Sequence, residues 1–449
     1  MMRYFSLTEH DQKQMLDAIG KSSLEQLFDS LPKEVFHQGQ LNLPSVKEEY
    51  ELQSYFESLA QKNFSAQKNY KSYLGGGAYE HFIPYVVDAL SSRGEFTTAY
   101  TPYQAEISQG TLQAIFEFQS MVASLLGVGV ANASMYDGAS ALAEAVLMAL
   151  RIQKKRHKVF VSQGIHPEYI KTIQSYIDPS QCEIQYLPLD ENGYTKLPNL
   201  DESVACIVVG YPNFYGVIEP LDKIVEQCKQ YGVLTIACFT EALAFGLLKS
   251  PGELGADIVV GEGQSLGNPL SFGGPYVGLM GSDEQYVRQL PGRLVGKTVD
   301  SEGTPGYVLT LSTREQHIRR QKATSNICTN HSLCALRAAI YMGALGQKGI
   351  ESIALNNHEK TEYLKSELLQ LDGVELLFHG ATFNEFALKL TKVTMEQWKQ
   401  AFEKNNIASG IDLSRFDKTL NNVLLVNCTE TKTENDLKRY IEVTKEVLS

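Results

Sequence analysis

VACIVVGYPNFYGVIEPLDKIVEQCKQYGVLTIACF, residues 204–239, decides the fold. Cys206–Gly210 is a short run that is apolar at every position, the pattern of a strand covered on both faces. Tyr211-Pro212-Asn213-Phe214-Tyr215-Gly216 reads as a turn. Leu221–Tyr231 then has a helical period, and Val233–Cys238 is a second apolar strand. Short apolar strands separated by helices imply an α/β fold with a mainly parallel, doubly covered sheet.

The same alternation extends in both directions. Upstream lie a strand at Val159–Val161, a helix at Pro167–Tyr176 and a strand at Glu183–Leu187. Downstream, Asp257–Val260 and Tyr276–Met280 add two strands. Gly75-Gly76-Gly77 opens a loop before a short helix at Pro84–Leu90. Thr111–Leu126 and Ser140–Ile152 carry strong amphipathic periods. The pattern predicts a large α/β domain over 66–324. Residues 1–65 read as an N-terminal helical arm without a core of its own. Its first helix starts near Ser6 or Thr8, followed by Glu9 and Asp11, and another lies near 45–61. The remainder, 325–449, reads as a linking helix at Ser325–Gly346 and a small α+β domain. Its expected helices are Lys360–Leu371 and Thr394–Asn405, and its expected strands Val374–Leu377, Glu385–Leu390 and Asn422–Asn427.

Composition narrows the function. The chain has 449 residues, 43% hydrophobic and 20% charged, enough to bury a large core. A formal charge of −12 argues against nucleic acid and against an anionic membrane surface as partners. The seven cysteines are scattered, odd in number and without CxxC spacing, which fits a reducing cytoplasm better than a disulfide or zinc framework. MMRYFSLTEHDQKQML has no apolar core of signal-peptide length, and no apolar run is long enough to span a bilayer. A cytoplasmic location is expected.

Five segments are candidates for chemistry. Tyr136-Asp137-Gly138-Ala139-Ser140 sits at a helix start, where free N–H groups favour a phosphate; a plain N-cap is its ordinary reading. The loop Thr97–Tyr103 presents hydroxyls and phenols, Thr98, Tyr100 and Tyr103 among them, or is ordinary turn chemistry. The turn at 211–216 follows a strand, at the end of the sheet where ligands bind in open α/β folds. Gly261–Gly274 follows another strand but matches neither a Walker nor a Rossmann pattern. Arg314–Asn330 gathers Arg314, His317, Arg319, Arg320 and Lys322 in an acidic chain, either a solvated face or a wall for an anion. Ser325-Asn326 reads there as the cap of the next helix.

These blocks together resemble one family. GGGAYEHFIPYVVDAL (75–90), EFTTAYTPYQAEISQGTLQAIFEFQSMVASLLG (95–127), MYDGASALAEA (135–145) and LTLSTREQHIRRQKATSNICTN (309–330) are similar to the glycine decarboxylase, or P-protein, of the glycine cleavage system. The likeness is to its N-terminal half, which stands alone as the alpha subunit in the two-chain bacterial form. It implies the aspartate-aminotransferase-like fold of pyridoxal phosphate (PLP) enzymes. It also implies a complex that takes glycine, releases CO2 and passes the aminomethyl group to the lipoyl arm of the H-protein.

One departure carries the functional expectation. An active member of this fold needs an acid opposite the pyridine nitrogen and a lysine that forms a Schiff base with the cofactor. Placed against the catalytic half, this chain has Cys238 at the acid position and Ser265 at the lysine position. No lysine lies between Lys249 and Lys297. Glu241 is the one nearby acid that could stand in. The resemblance therefore implies a subunit without catalytic residues of its own, paired with a beta subunit that holds the PLP. Thr98, Tyr100 and Tyr103 are expected to reach the partner's cofactor or the glycine, and Arg319 or Arg320 to meet a phosphate or shape the H-protein entrance. Gly138, Ala139 and Ser140 are expected to form a degenerate phosphate turn. The alternatives are a purely structural subunit and a self-sufficient enzyme using Lys297 or Lys322. Whether Cys328 and Cys334 respond to oxidation is left open by the sequence.

Overall fold

Residues 7–32, 34–35, 41–66, 70–179 and 182–449 are described by the computed structural model. Their contacts fall into two units, residues 1–63 and residues 64–449. In the first, α1 (Glu9–Ala18) is capped by Thr8 and Asp11, each side chain taking the other's backbone N–H. Ser6 lies outside the described residues. Neither α1 nor α2 (Glu49–Ala60) has a buried residue.

In the second unit a seven-stranded sheet is built from β1 (Val130–Ala131), β2 (Lys158–Ser162), β3 (Glu183–Leu187), β4 (Val204–Gly210), β5 (Leu234–Phe239), β6 (Ile258–Glu262) and β7 (Gly278–Ser282). Its order is β3-β2-β4-β5-β6-β7-β1. The pairs from β3 to β6 are parallel, and β7 runs antiparallel to both neighbours. The helices around it are α3 (Tyr85–Ser91), α4 (Gln109–Leu126), α5 (Gly138–Ile152), α6 (Pro167–Tyr176) and α7 (Leu221–Gln230). Side-chain alternation explains the all-apolar strands. Ile207 and Val209 of β4 pack into the core with α4 and α7, whereas Cys206 and Val208 pack into the core with α5 and α6. Each fully buried aliphatic side chain contributes about 1.5–3 kcal/mol, so both faces hold the strand in place.

Three elements differ from the sequence expectation. β1 precedes the turn at Gly138, which the sequence reading places before the first strand. A hairpin of β8 (Leu294–Val299) and β9 (Pro305–Thr310) is present where no element is expected. The linking helix starts at Ser332, not Ser325, and continues as α8 (Ser332–Leu368). Residues 325–330 are instead used as ties: Ser325 Oγ donates to Glu144 Oε1 (2.7 Å) and Asn330 Nδ2 to the Ala133 carbonyl (2.6 Å). Gly346 takes φ 61° inside α8 and kinks it, so the expected end of the linking helix is a joint.

The small sheet is antiparallel, with β10 (Val374–Leu376), β11 (Glu385–Leu390), β12 (Ile411–Asp412) and β13 (Val423–Asn427) in the order β10-β11-β13-β12. It packs with α9 (Met395–Lys404) and α10 (Glu434–Leu448) around Trp398, Phe402, Phe386 and Tyr440. Among the described residues no helix is long and apolar enough to cross a membrane.

Candidate functional site

Ligands of open α/β sheets sit beyond the carboxyl ends of the strands. Here that space is crossed by the segment 75–82. Gly76 N–H donates to Glu385 Oε1 of β11 (2.6 Å), and its carbonyl accepts from His166 Nε2 (2.9 Å) after β2. Gln264, just past β6, takes Tyr79 N–H on its carbonyl (2.8 Å) and gives its amide to the Tyr79 carbonyl (3.1 Å). The Tyr79 hydroxyl meets Thr240 Oγ1 (2.8 Å) after β5 and donates to Glu385 Oε2 (2.8 Å). His81 lies between two carboxylates, with Nε2 2.9 Å from Glu241 and Nδ1 2.8 Å from Glu430. The glycines make this approach possible: a Cβ on Gly75 would meet Glu385 Oε1 at 2.0 Å.

The electrostatics of this cleft are set by burial and pairing. Burial alone would lower the pKa of His81, but attraction from Glu241 and Glu430 overrides it and raises it to about 10. Burial pushes Glu385 up to about 8 against the opposing hydrogen bonds from Gly76 and Tyr79. His166 is driven down to about 4 by burial, so it is a neutral imidazole donating from Nε2.

The turn at Gly138 is filled from within. Asp137 caps α5: its Oδ1 accepts Ser140 N–H (2.7 Å), and Ser140 Oγ accepts Asp137 N–H (3.2 Å). Gly138 N–H, the donor a phosphate would use, donates to Glu262 Oε2 at 3.0 Å. Glu262 Oε1 also accepts from Gly263 N–H (3.0 Å) and Val277 N–H (3.2 Å). Burial raises the Glu262 pKa to about 8 despite these donors. Tyr169 closes the turn, since a Cβ on Gly138 would lie 2.5 Å from its hydroxyl and 2.9 Å from Glu262 N. Gly138→Ala is therefore expected to cost about 1–3 kcal/mol through overpacking. An unchanged urea midpoint would show that the turn is looser than this.

The remaining expected residues are dispersed. Cys238 is buried at the end of β5, its thiol pKa pushed well up by burial. Among the described residues Ser265 Oγ is buried without a hydrogen-bond partner, while Gln264 beside it faces the Tyr79 segment. Glu241 is held by His81 and by Asn384 Nδ2 (3.1 Å), so it is not free to replace an acid at Cys238. Thr98 Oγ1 turns back to the Gly94 carbonyl (2.6 Å), and Tyr100 is 86% exposed. Arg319 Nε binds the Thr313 carbonyl (3.1 Å). Tyr103 and Arg320 are brought together, lining one cavity of about 310 Å³ with His317 and Cys328. Sequence reading missed Glu262, His81 and Arg293. The available signal was a charged residue beside glycines in GEGQ and in PGRLVG; YEHF, where His81 follows Glu80, carries no such mark.

The sheet order, with a small antiparallel sheet after it, defines the class: an α/β fold of the PLP-dependent, fold-type I kind. A sphingosine-1-phosphate lyase from Burkholderia pseudomallei shares it at TM-score 0.65 and 13% identity, covering 92% of this chain and 93% of that one. A crystal structure of glycine decarboxylase (P-protein) of the glycine cleavage system, in inhibitor-bound form, matches far more closely. Its TM-score is 0.89 with 44% identity over 100% of both chains. The chain belongs to the glycine cleavage system P-protein family, whose profile matches residues 2–444. "Probable glycine dehydrogenase (decarboxylating) subunit 1" of Desulfotalea psychrophila is 46% identical over 446 residues, 99% of this chain and 98% of the relative. The protein of the same description from Desulfitobacterium hafniense is 48% identical over 443 residues, 98% of each.

PLP is the cofactor of this class, and the groups present here do not fit it. At the turn expected to take a phosphate, Glu262 already accepts the Gly138 N–H; Cys238, expected at the acid position, is a buried thiol; and no lysine lies between Lys249 and Lys297.

Proposed function

We propose that this chain is the non-lysine-bearing alpha subunit of a two-chain glycine dehydrogenase (decarboxylating). With a beta subunit that holds PLP covalently, it serves decarboxylation of glycine and transfer of the aminomethyl group to the lipoyl arm of the H-protein. Full-length similarity to relatives named subunit 1 supports this reading. The observation that carries the division of labour is Glu262 at Gly138, a carboxyl group already on the N–H where a cofactor phosphate would have to bind. In this reading the chain's contribution is made by residues that face a partner. Thr98, Tyr100 and Tyr103 reach the partner's cofactor or the glycine, and Arg319 or Arg320 meets a phosphate or shapes the H-protein entrance.

The test is to purify the chain alone and with its partner, then follow cofactor absorbance and glycine–bicarbonate exchange. Neither is expected from the chain alone, and both from the complex. Borohydride reduction followed by peptide mapping that labelled a lysine of this chain would overturn the reading. Tyr100→Phe and Tyr103→Phe, then alanine at each, test the contribution of the loop. Normal turnover in every variant with assembly intact would leave a purely structural subunit.

A further inference from the structure

We propose that the cavity under Tyr103 is a receptor for one small oxyanion, a carboxylate or a phosphate. Tyr103, His317 and Arg320 line it, and Arg293 lies behind them. Arg293 stands behind Tyr103, 5% exposed, with its guanidinium 5.4 Å from the centre of the ring. Its Nη1 donates to Thr329 Oγ1 (3.0 Å), and its Nη2 to the Cys328 carbonyl (3.0 Å) and the Tyr103 hydroxyl (3.2 Å). Its Nε is buried without a hydrogen bond among the described residues. Because the Tyr103 oxygen accepts from Arg293, the phenol proton is free to donate into the cavity. His317 packs edge-on to Tyr103, ring centres 6.1 Å apart. Arg320 lines the same cavity, and its guanidinium has no hydrogen bond or ion pair with the described residues.

Two guanidinium groups stand near one carboxylate here, and that of Arg320 is exposed. Glu315 is the carboxylate lining the cavity, 4.0 Å from Arg293 Nε and 3.6 Å from His317 Nδ1. It answers one of two guanidinium charges in a chain of net charge −12. A guanidinium fork is satisfied by two oxygens of a carboxylate or phosphate. The backbone agrees: Arg320 sits at φ 52°, ψ −124°, a conformation that costs a non-glycine residue about 1–3 kcal/mol and clusters at ligand sites. About 310 Å³ is at the low end for ligand pockets, which selects a small anion over a nucleotide.

Three sources share this chemistry: a free carboxylate of amino-acid size, a phosphate group, and a carboxylate presented by the partner subunit. The test is calorimetric titration of the full chain, and of its complex with the partner, with inorganic phosphate and separately with acetate. Saturable binding of one anion to the lone chain is expected, weakened about ten- to a hundredfold in Arg320→Gln. Tyr103→Phe is expected to weaken it less, since one neutral donor is lost. Binding that persists in the complex identifies a free anion; binding lost on assembly identifies the partner's group. Arg320→Lys and His317→Asn, with melting curves, separate loss of the site from loss of the fold. No saturable binding of either anion to the wild-type chain, or binding unchanged in Arg320→Gln, would overturn the site. The inference rests on the reading of Arg320 as an anion contact. Turnover lost in Arg320→Gln with anion binding intact would count against this site while leaving the partner-facing loop in place.

Discussion

Replacing His81 with alanine is expected to destabilise the chain by about 3–5 kcal/mol, the cost of leaving buried charges without their counter-charge. The imidazolium holds Glu241, which follows β5 of the large sheet, and Glu430, which follows β13 of the small one. His81 and Glu241 side chains are each 2% exposed and that of Glu430 is 12%, so water cannot take over the role of the cation. Both carboxylates are also fixed by other partners, Asn384 for Glu241 and the Phe82 N–H (2.7 Å) for Glu430, and cannot swing apart. The variant would therefore loosen the small sheet unit against the large one. Equilibrium urea unfolding reads the effect as a shift in midpoint. A loss below about 1 kcal/mol, the size of an exposed pair, would show that the cluster is solvated in solution.

The second large effect is on pH. Glu219, Glu262 and Glu385 have folded pKa values raised by burial to about 7, 8 and 8, and His81 is raised by its carboxylates to about 10. For each, the folded chain binds a proton more tightly than the unfolded one. The three acids contribute full stability below their ordinary range near 4.5, lost as pH rises to about 8. His81 contributes fully below 6.5, and its contribution is lost as pH rises through about 10. All four slopes have the same sign. Stability is expected to fall from pH 6 to pH 9 at about 1.4 kcal/mol per pH unit for each extra proton the folded chain holds. In acid the opposite sense takes over through Glu430, whose folded pKa is lowered by His81 although burial opposes this. Melting curves across this range check the claim, and a Tm that rises between pH 6 and pH 9 would refute it. In His81→Ala the fall between pH 8 and pH 10 should be largely absent, which ties the two experiments together.

The sheet was legible because its strands are buried on both sides. An all-apolar run such as VACIVVG has one reading in a chain where helices alternate with it, and β2 to β6 lie within two residues of their expected positions. The hairpin β8–β9 was not legible. Its residues LVGKTV and PGYVLT are only partly buried, so no alternation marks them. The start of α8 differs because Ser325 looks like a cap but spends its hydroxyl on Glu144 across the fold, and Asn330 ties the segment to the Ala133 carbonyl. The site divides in the same way. That no lysine lies between Lys249 and Lys297 is read directly from the sequence. What fills the space is set by tertiary contacts: Gln264 to Tyr79, Glu262 to Gly138 and His81 to Glu430 join residues far apart in the chain. Tyr103 and Arg320 stand out in the sequence by their chemistry, and only the folded chain shows that they share a cavity, with Arg293 behind them.

The Glu262 carboxylate at the start of α5 bears on supply as well as shape. A free phosphate ligand stabilises its protein by an amount that rises with the logarithm of its concentration, so a chain that depends on one weakens when the ligand is scarce. Here the group that takes the Gly138 N–H is covalently part of the chain and its local concentration never varies. The fold around α5 is therefore complete at synthesis. The turn at Gly138 closes in the same way whatever the concentration of free phosphate ligands.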